Sequence, residues 1–484
     1  MAPITERSAV DLAAAIRRRE LTSAEVVEAH ITQLAQLGAQ INALAANRFD
    51  QAREEAGRAD RIVNEAALRG TEHELPLLLG VPFTVKETVA LEGMPISAGV
   101  LARRTQRAAG SASAVERVRS AGAIPLGVTN TSELTLWIES ENRLYGRTNN
   151  PYDPQRTAGG SSGGEGAAVG GGGSPFGIAS DIAGSIRIPA LFCGVFGHKP
   201  SSGLVPNTGL WPPSAGSAGR LLGTGPLARR GEDLMPILKI LAGPDGKDPN
   251  TQPMTIEDLD HVSLDGLQVT TIEQSSRVPL AQELRDARER AVGALAAAGA
   301  DVRRVELPML RGAFLPYLVT LQAAGGNAAR TTAQLLAESG EDPPTWRSLL
   351  RGSGGRHTGP TRIALALEKL PSRRDSPSTE RLLRRGRELV RELEAAIGDG
   401  VLLHPAHQRL APRHGRTLGR PWLMMPAAIF NLAGVPVTEV PMGLSARGLP
   451  VGIQVAARHG ADHVTIAVAL ELERVFGGWV PPPL

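Results

Sequence analysis

Two serine-containing motifs stand close together in the chain: Gly159-Gly160-Ser161-Ser162-Gly163-Gly164 and Ser180-Asp181-Ile182-Ala183-Gly184-Ser185-Ile186-Arg187-Ile188-Pro189. Between them, residues 176–179 have the apolar character of a short strand. Glycine allows the backbone to approach another group closely and to adopt a positive φ. A flexible linker would not normally lie between Asn149-Asn150-Pro151 and an apolar segment. The pattern therefore predicts a shaped backbone around two serine sites.

The glycine-rich motif does not match the common phosphate-binding loops. No lysine follows it, as G-x-x-x-x-G-K-S/T requires, and no G-x-G-x-x-G opens a helix here. Gly159, Ser161 and Gly163 do match G-x-S-x-G, the nucleophile elbow of α/β-hydrolases, which needs a β-strand immediately before it. Residues 151–156 are instead typical of a loop. An esterase that uses Ser161 with a histidine remains an alternative, and it would make Ser185 dispensable.

Strands and helices alternate along most of the chain. Strands are predicted at residues 80–86, 123–128, 176–179, 267–273, 301–307, 435–440 and 449–455, and helices at residues 111–121, 279–298, 378–397 and 461–476. The first 70 residues are predicted to be helical, with a T-x-x-E capping box at Thr22 and Glu25. Residues 353–355 predict a mobile loop. Alternating strands and helices indicate an α/β layer structure around a sheet.

The composition excludes several classes of protein and site. The chain has 484 residues and a net charge of +3, which is weak evidence for a nucleic-acid partner. The single cysteine, Cys193, excludes an internal disulfide and metal sites built from several thiolates. The chain contains no run of about 18 uncharged apolar residues, so no membrane-spanning helix is predicted. Charged residues interrupt residues 1–20, so no signal peptide is predicted and a cytoplasmic location is expected.

Two further side chains could take part in acyl transfer with Ser161. Ser185 follows a small-residue turn, where backbone N–H groups can point at a developing oxyanion. Lys86 ends the apolar segment 80–86 and is one of only five lysines in the chain. Burial would lower the pKa of this lysine and leave a neutral amine able to act as a base. Three histidines lie in a segment rich in arginine and proline and are expected to be surface or loop residues: His404, His407 and His414.

Several longer stretches surround these three sites. They are Trp137-Ile138-Glu139-Ser140, Tyr145-Gly146-Arg147-Thr148-Asn149-Asn150-Pro151, Glu165 after the serine pair, Phe196-Gly197-His198-Lys199-Pro200, Gly225-Pro226-Leu227-Ala228-Arg229, Gly448-Leu449-Pro450-Val451-Gly452-Ile453-Gln454 and Phe476-Gly477-Gly478-Trp479. Together with residues 80–86, 159–164 and 181–189, they resemble the amidase signature family, and most closely its fatty-acid amide hydrolase branch. The resemblance covers roughly residues 21–241 and 421–482.

The resemblance implies an α/β fold in a single large domain over residues 1–484. A mixed β-sheet core would be covered by helices on both faces. Residues 1–70 would form an N-terminal helical part, and residues 71–245 and 421–484 the signature core. Residues 310–420 would form a variable region on the substrate side.

The resemblance also implies a Ser-cisSer-Lys triad that needs no metal or cofactor. Ser185 would be the nucleophile, Ser161 the bridging serine after a cis peptide bond, and Lys86 the base. The N–H groups of the oxyanion hole would belong to Ile182, Ala183, Gly184 and Ser185. Supporting contacts would come from Ser162, Asp181 and Arg187.

Two departures from the family pattern stand near this site. Ala183 replaces a usual glycine, so its N–H is kept but its methyl group narrows the oxyanion hole. Ala158 replaces a common proline before Gly159. Neither change removes a catalytic group.

The implied activity is that of a serine hydrolase that cleaves carboxylic amides through an acyl-enzyme. Because the same acyl transfer serves esters and carbamates (urethanes), small molecules of all three classes are expected substrates. The alternative within the family is the glutamine-hydrolysing A-type subunit of an amidotransferase. The alternative outside the family is a non-catalytic binding protein. No nucleic-acid partner is expected, and the oligomeric state stays open, a homo-oligomer included.

An apolar acyl or aryl group is the expected substrate feature. The chain is only 3% aromatic, so aliphatic and methionine side chains are expected to line an acyl pocket. In the helix predicted after Pro421, Met425, Ile429 and Leu432 share one face. This face is a candidate wall of that pocket, and ordinary core packing is the alternative.

Overall fold

The computed structural model describes residues 2–214, 216–273, 278–325, 330–340, 355–368 and 376–483. The strands in these residues are β1 (Leu44–Asn47), β2 (Pro82–Lys86), β3 (Ile124–Thr129), β4 (Glu141–Asn142), β5 (Gly146–Arg147), β6 (Phe176–Asp181), β7 (Phe196–Lys199), β8 (Gly223–Ala228), β9 (Gln268–Ile272), β10 (Asp301–Val305), β11 (Val401–His404), β12 (Val437–Leu444) and β13 (Pro450–Ala457). The α-helices are α1 (Ala9–Arg17), α2 (Ser23–Ile41), α3 (Phe49–Arg69), α4 (Ser113–Ser120), α5 (Gly163–Gly170), α6 (Arg187–Cys193), α7 (Leu234–Leu241), α8 (Gln282–Ala297), α9 (Phe314–Gly325), α10 (Thr332–Glu338), α11 (Gly359–Glu368), α12 (Pro377–Ile397), α13 (Met425–Ala433) and α14 (Asp462–Phe476).

One mixed sheet of 11 strands forms the centre of the molecule. Its strand order is β1-β3-β2-β6-β8-β7-β12-β13-β11-β9-β10. From β6 to β11 each neighbouring pair is antiparallel. The strands β3, β2 and β6 pair parallel on one side, and β11, β9 and β10 on the other. The short strands β4 and β5 form a separate antiparallel ribbon.

Helices cover both faces of the sheet. Successive residues of a strand point to opposite faces, and every residue of β13 is buried. On one face, Thr438 of β12 donates to Thr465 of α14 over 2.9 Å. On the other face, Gly452 of β13 lies against Leu191 of α6. The predicted fold class, an α/β fold with a mixed sheet between helical layers, is confirmed.

The observed elements overlap the predicted ones, and the Thr22 capping box is present at the start of α2. Two boundaries differ from the expected division. The N-terminal 70 residues are not wholly helical, because β1 lies between α2 and α3 and pairs with β3. Within the predicted substrate-side region, β11 instead enters the core sheet between β13 and β9. Residues 353 and 354 of the predicted loop lie outside the described residues.

Candidate active site

Lys86 is the last residue of β2, and its side chain is fully buried. Its Nζ donates to Ser161 Oγ over 2.7 Å and lies 3.4 Å from Ser180 Oγ. Burial lowers the pKa of Lys86 to about 7, although nearby carboxylates, Asp181 above all, favour its charged form. A substantial fraction of the amine is therefore neutral at pH 7 and able to accept a proton.

Ser161 lies in a fixed backbone segment that leads into α5. The Gly160–Ser161 peptide bond is cis. The Ser161 carbonyl accepts hydrogen bonds from Thr131 Oγ1 at 2.8 Å and from Ser140 Oγ at 3.0 Å. A Cβ atom on Gly160 would lie 2.6 Å from the carbonyl oxygen of Trp137, so only glycine fits this close approach. The glycine-rich motif is thus a shaped backbone.

Ser162 belongs to the same hydrogen-bonded cluster. Its Oγ donates to the carbonyl of Ser180 over 3.4 Å. Lys86 Nζ lies 3.5 Å from that carbonyl. The end of β6 therefore brings the serine pair and the lysine to one point, a few residues before Ser185.

A buried ion pair holds the segment between β6 and α6, which carries Ser185. Arg187 Nη2 lies 2.9 Å from Asp181 Oδ1, and both side chains are fully buried. Burial by itself would raise the pKa of Asp181, but Arg187 and two backbone N–H donors hold it well below its usual range. Arg187 also donates to Asn431 and to Gln454. These contacts fasten the Ser185 segment to α13 and β13.

The backbone N–H groups of residues 182–185 fall into two sets. The Gly184 N–H donates to Asp181 Oδ1 over 2.8 Å, so it holds the loop. Those of Ile182, Ala183 and Ser185 donate to no acceptor in the part of the chain that the structure describes. Gly184 has φ +104, and a Cβ there would lie 2.5 Å from that of Ala427. Of the four predicted oxyanion donors, three thus have no acceptor among the described residues.

Ser185 as a whole residue is 7% exposed. Among the described residues, none is hydrogen-bonded to its Oγ, whereas Ser161 Oγ is bonded to Lys86. The two serine segments touch, because a Cβ on Gly159 would lie 2.8 Å from Cα of Pro189 in α6. The structure thus combines a formed Lys86–Ser161 pair with a Ser185 hydroxyl that, within the described ranges, has no competing side-chain partner.

Glu165 is a buried acid beside this network, and its sequence motif indicates no role for it. Its Oε2 accepts from Thr84 Oγ1 at 2.6 Å and its Oε1 from Thr129 Oγ1 at 3.1 Å. Gly177 of β6 leaves room for it, since a Cβ there would lie 1.9 Å from Oε2. Burial raises the pKa of Glu165 to about 8. The sequence feature that could have revealed Glu165 is its position among the glycines and alanines of α5. Small apolar neighbours of this kind leave a carboxyl group desolvated.

The prediction that His404 is a surface or loop residue is wrong, whereas His407 lies in a loop, as expected, but is buried. His404 is the last residue of β11 and only 2% exposed, and His407 is fully buried. Burial lowers the pKa of His404 to about 3 and that of His407 to about 4. In the described ranges no histidine is hydrogen-bonded to Ser161, whose hydroxyl pairs with Lys86. The arrangement gives no support to the esterase alternative.

The described part of the chain contains no group of three or more His, Cys, Asp or Glu side chains that could hold a metal ion. The second buried lysine, Lys199, donates to the Pro200 carbonyl over 2.7 Å. Within the same described ranges, no helix has the length and apolar character needed to cross a membrane.

Comparison with known proteins identifies the family. The family model "Amidase" matches residues 25–466. The chain belongs to the amidase signature family. Fatty-acid amide hydrolase 2-B of Danio rerio is 42% identical to it over 99% of this chain and 91% of that protein. A glutamyl-tRNA(Gln) amidotransferase subunit of Koribacter versatilis is 30% identical over 96% of this chain and 97% of that protein.

A solved structure shows the same architecture. That of 6-aminohexanoate cyclic dimer hydrolase complexed with substrate has a TM-score of 0.82 at 26% identity and covers 99% of both chains. The resemblance to the family, and to its fatty-acid amide hydrolase branch, is confirmed. As a member of this family, the chain is an amide-bond hydrolase.

Proposed function

We propose that the chain cleaves carboxylic amides that carry an apolar acyl or aryl group, with Ser185 as nucleophile, Ser161 as relay and Lys86 as base. A serine hydroxyl is a weak nucleophile until a neighbouring base removes its proton. The observation that carries the proposal is the 2.7 Å hydrogen bond between Lys86 Nζ and Ser161 Oγ. Burial lowers the pKa of that lysine to about 7, so about half of the amine is neutral at pH 7.

The proposed reaction begins with two coupled proton transfers. Ser161 gives its proton to Lys86 and takes that of Ser185, whose Oγ then bonds to the substrate carbonyl carbon. The carbonyl oxygen becomes negative and receives hydrogen bonds from the N–H groups of Ile182, Ala183 and Ser185. As the C–N bond breaks, the proton returns through Ser161 to the leaving amine. Water, deprotonated along the same path, cleaves the Ser185 ester and releases the acid.

Asp181, Arg187 and Ser162 act in this scheme by positioning. The Asp181–Arg187 pair fixes the loop whose N–H groups must face the oxyanion, and Asp181 accepts the Gly184 N–H itself. Ser162 keeps the carbonyl of Ser180 occupied beside Lys86. All the groups come from one chain, so the scheme requires no second copy of it.

An apolar substrate group is supported by a cavity of about 400 Å³ beside α13. Met425 and Ile429, two residues of the helix face proposed as a pocket wall, line this cavity, whereas Leu432 lies at a separate cavity beside Gly434. Each buried methylene contributes up to ~0.8 kcal/mol, so kcat/KM should rise by up to several-fold with each methylene that the cavity accommodates. Anilides with two, four and eight acyl carbons test this. A preference for the two-carbon anilide would contradict the apolar pocket.

Esters and carbamates, including urethanes, are proposed as further substrates because they pass through the same acyl-Ser185 intermediate. The amidotransferase alternative predicts instead that the chain hydrolyses glutamine and needs a partner protein to use the ammonia. Comparing kcat/KM for glutamine with kcat/KM for octanoyl anilide separates the amidase proposal from the amidotransferase alternative. We also propose a cytoplasmic location, which the free, buried thiol of Cys193 supports.

Covalent labelling tests the assignment of the nucleophile. A fluorophosphonate probe should modify Ser185, identified by peptide mass spectrometry, and Ser185→Ala should abolish labelling. Ser161→Ala is the matched control, since it should slow labelling severalfold or more without moving the site. Modification of Ser161 in both the native protein and Ser185→Ala would overturn the assignment and favour the esterase alternative.

A further inference from the structure

The hydroxyl of Tyr317 reaches the loop of residues 182–185, here called the oxyanion loop. Tyr317 lies in α9 and is only 3% exposed. Its hydroxyl donates to the backbone carbonyl of Ile182 over 2.7 Å. Ala183, the next residue of the loop, packs against the same apolar cluster that contains Tyr317. The helix α9 therefore contacts the oxyanion loop both by a hydrogen bond and by apolar packing.

Close packing fixes the position of α9. A Cβ atom on Gly386 of α12 would lie 2.8 Å from Thr320 Oγ1 of α9, so a larger residue there would push the two helices apart. Thr320 Oγ1 in turn donates to the carbonyl of Pro316 over 2.8 Å. Tyr317 thus projects from a helix whose place is set by its neighbours, which allows its hydroxyl to hold the loop.

A held carbonyl fixes the direction of the N–H group in the same peptide plane. The peptide bond is planar, and in its trans form the C=O and the N–H point in opposite directions. The cis peptide bonds of the described residues lie elsewhere, so the Ile182–Ala183 bond is trans. The hydrogen bond from Tyr317 therefore directs the Ala183 N–H to the opposite side of the peptide plane. Among the described residues, that N–H has no acceptor.

The other two donors of the oxyanion loop are aligned in the same manner. The Asp181 carbonyl accepts from Asn431 Nδ2 at 2.9 Å, which directs the N–H of the residue that follows it. The Gly184 carbonyl accepts from the Ile188 N–H at 2.8 Å, which directs the N–H of Ser185. The hydroxyl from α9 is the third hydrogen bond of this set.

We propose that Tyr317 is a positioning residue of the oxyanion hole, which holds the Ile182 carbonyl and thereby aims the Ala183 N–H at the substrate oxygen. The inference rests on the proposed function, in which Ser185 is the nucleophile, and adds a residue from outside the catalytic motifs. Stabilisation of an oxyanion depends on donors that are oriented before the reaction. Tyr317 acts through the loop and not on the substrate.

The Tyr317 hydroxyl remains a hydrogen-bond donor at neutral pH. Burial raises the pKa of Tyr317, and the charge of Asp181 raises it further, so the phenol keeps its proton. Without this hydroxyl, the Ile182 carbonyl would lose its partner. Its peptide plane could then rotate to another partner, and the Ala183 N–H would turn with it.

Tyr317→Phe tests the proposal, because it removes one oxygen and keeps the ring that packs in the core. We expect kcat/KM for butyryl anilide to fall by about ten- to a hundredfold. Loss of a whole oxyanion donor costs about 10²–10³-fold, and here the Ala183 N–H is kept. Tyr152→Phe is the matched control. Tyr152 is also buried, its hydroxyl also donates to a backbone carbonyl, that of Val480, over 2.5 Å, and its variant should retain the native kcat/KM.

A transition-state mimic separates the orientation of the N–H from general damage to the site. Propyl trifluoromethyl ketone forms a bond between its carbonyl carbon and Ser185 Oγ. The Ser185 proton passes through Ser161 to Lys86, and the ketone oxygen becomes an oxyanion. Its inhibition constant should rise in Tyr317→Phe by the same factor by which kcat/KM falls. The dissociation constant of butyryl anilide, measured by calorimetry with Ser185→Ala, should not change when Tyr317→Phe is added.

Unnatural side chains at position 317 provide a rescue. The side chain of para-aminophenylalanine keeps an N–H donor near the place of the hydroxyl and should recover part of the lost kcat/KM. That of para-methylphenylalanine has a similar shape without a donor and should not. Melting temperatures establish which variants fold, and this pair decides if Tyr317→Phe does not fold.

The outcomes separate this inference from the proposed function. If the native protein cleaves no anilide and the fluorophosphonate probe does not label Ser185, the amidase function itself fails. If it does both but Tyr317→Phe keeps the native kcat/KM, the inference alone is overturned. The inference is also overturned if Tyr152→Phe shows the same loss, if the uncleaved anilide loses as much affinity as the ketone, or if the two para-substituted variants behave alike.

Discussion

Acidification should inactivate the enzyme through Lys86. The base must be neutral, and burial sets its pKa to about 7. About nine-tenths of the amine is then neutral at pH 8 and about one-hundredth at pH 5. We therefore expect kcat/KM to fall by about 90-fold between these pH values, equivalent to about 2.7 kcal/mol of activation free energy.

The groups that face Lys86 determine the shape of this profile. Asp181 stays ionised, because Arg187 keeps its pKa well below the usual range. Burial raises the pKa of Glu165 to about 8, so Glu165 is mostly uncharged in acid, and burial also raises the pKa of Glu87. Asp181 and Glu165 therefore keep the same charge state through the acid range. The acid limb should therefore have a slope close to one power of ten per pH unit.

The assay is kcat/KM for a butyryl anilide from pH 5 to 9.5, with circular dichroism at each pH to confirm that the chain stays folded. In Lys86→Ala, kcat/KM at pH 8 should be lower by several powers of ten, and the fall of kcat/KM near pH 7 should be absent. A flat native profile down to pH 5 would refute a lysine base. A limb centred near pH 4 would instead indicate a carboxylate base.

Two further outcomes follow from the buried charges. Glu165→Gln keeps acceptor and donor groups for Thr84 and Thr129, and because Glu165 is already mostly uncharged below pH 7, the acid limb of kcat/KM should stay near pH 7; a limb that moves to lower pH would show that Glu165 is ionised beside Lys86. Arg187→Met leaves the Asp181 carboxylate buried without its counter-charge and should lower the free energy of unfolding by about 3–5 kcal/mol, measured with urea. Adding Asp181→Asn should restore part of that loss, and an additive second loss would contradict the ion-pair explanation.

The parts of the site that lie within short motifs can be predicted from the sequence. Lys86 ends an apolar strand, and Ser161 and Ser185 lie in motifs whose small residues permit close backbone approach. Local pattern also predicts most strands and helices, since period-two and helical periodicity survive in β12, β13 and α14. The family resemblance then supplies the spatial relation between the three sites, which spacing alone does not contain.

Six strands are not predicted from the sequence, namely β1, β4, β5, β7, β8 and β11. For β8 and β11 the physical reason is visible. β8 contains Gly223, Gly225 and Pro226, which have low strand propensity, yet neighbouring strands bury it on both sides. A side chain at Gly225 would lie 2.2 Å from the His198 carbonyl, so tertiary contact overrides propensity there. β11 has only three apolar residues before His404. A run this short does not distinguish a strand from the loop that follows it.

The cavity is only partly foreseeable, because its walls are distant in sequence. The helix face that includes Met425 and Ile429 can be inferred from spacing, but residues 310–314 and 404–408 carry no pattern that relates them to it. The Gly184 N–H illustrates the same limit. Its position in the motif suggests an oxyanion donor, and only the structure shows that it donates to Asp181 instead.

The stability of the fold and the strength of its base oppose each other at Lys86. The unfolded lysine has a pKa of 10.5 and the folded one about 7, so between these values only the unfolded chain keeps the proton. Stability therefore rises with pH across this window, and below pH 7 the full cost of about 5 kcal/mol is present. Pairing Lys86 with an ionised acid would recover that energy but would keep the amine charged. The burial of Glu165 in its uncharged form beside Lys86 keeps the amine available as a base, at the expense of a less stable fold.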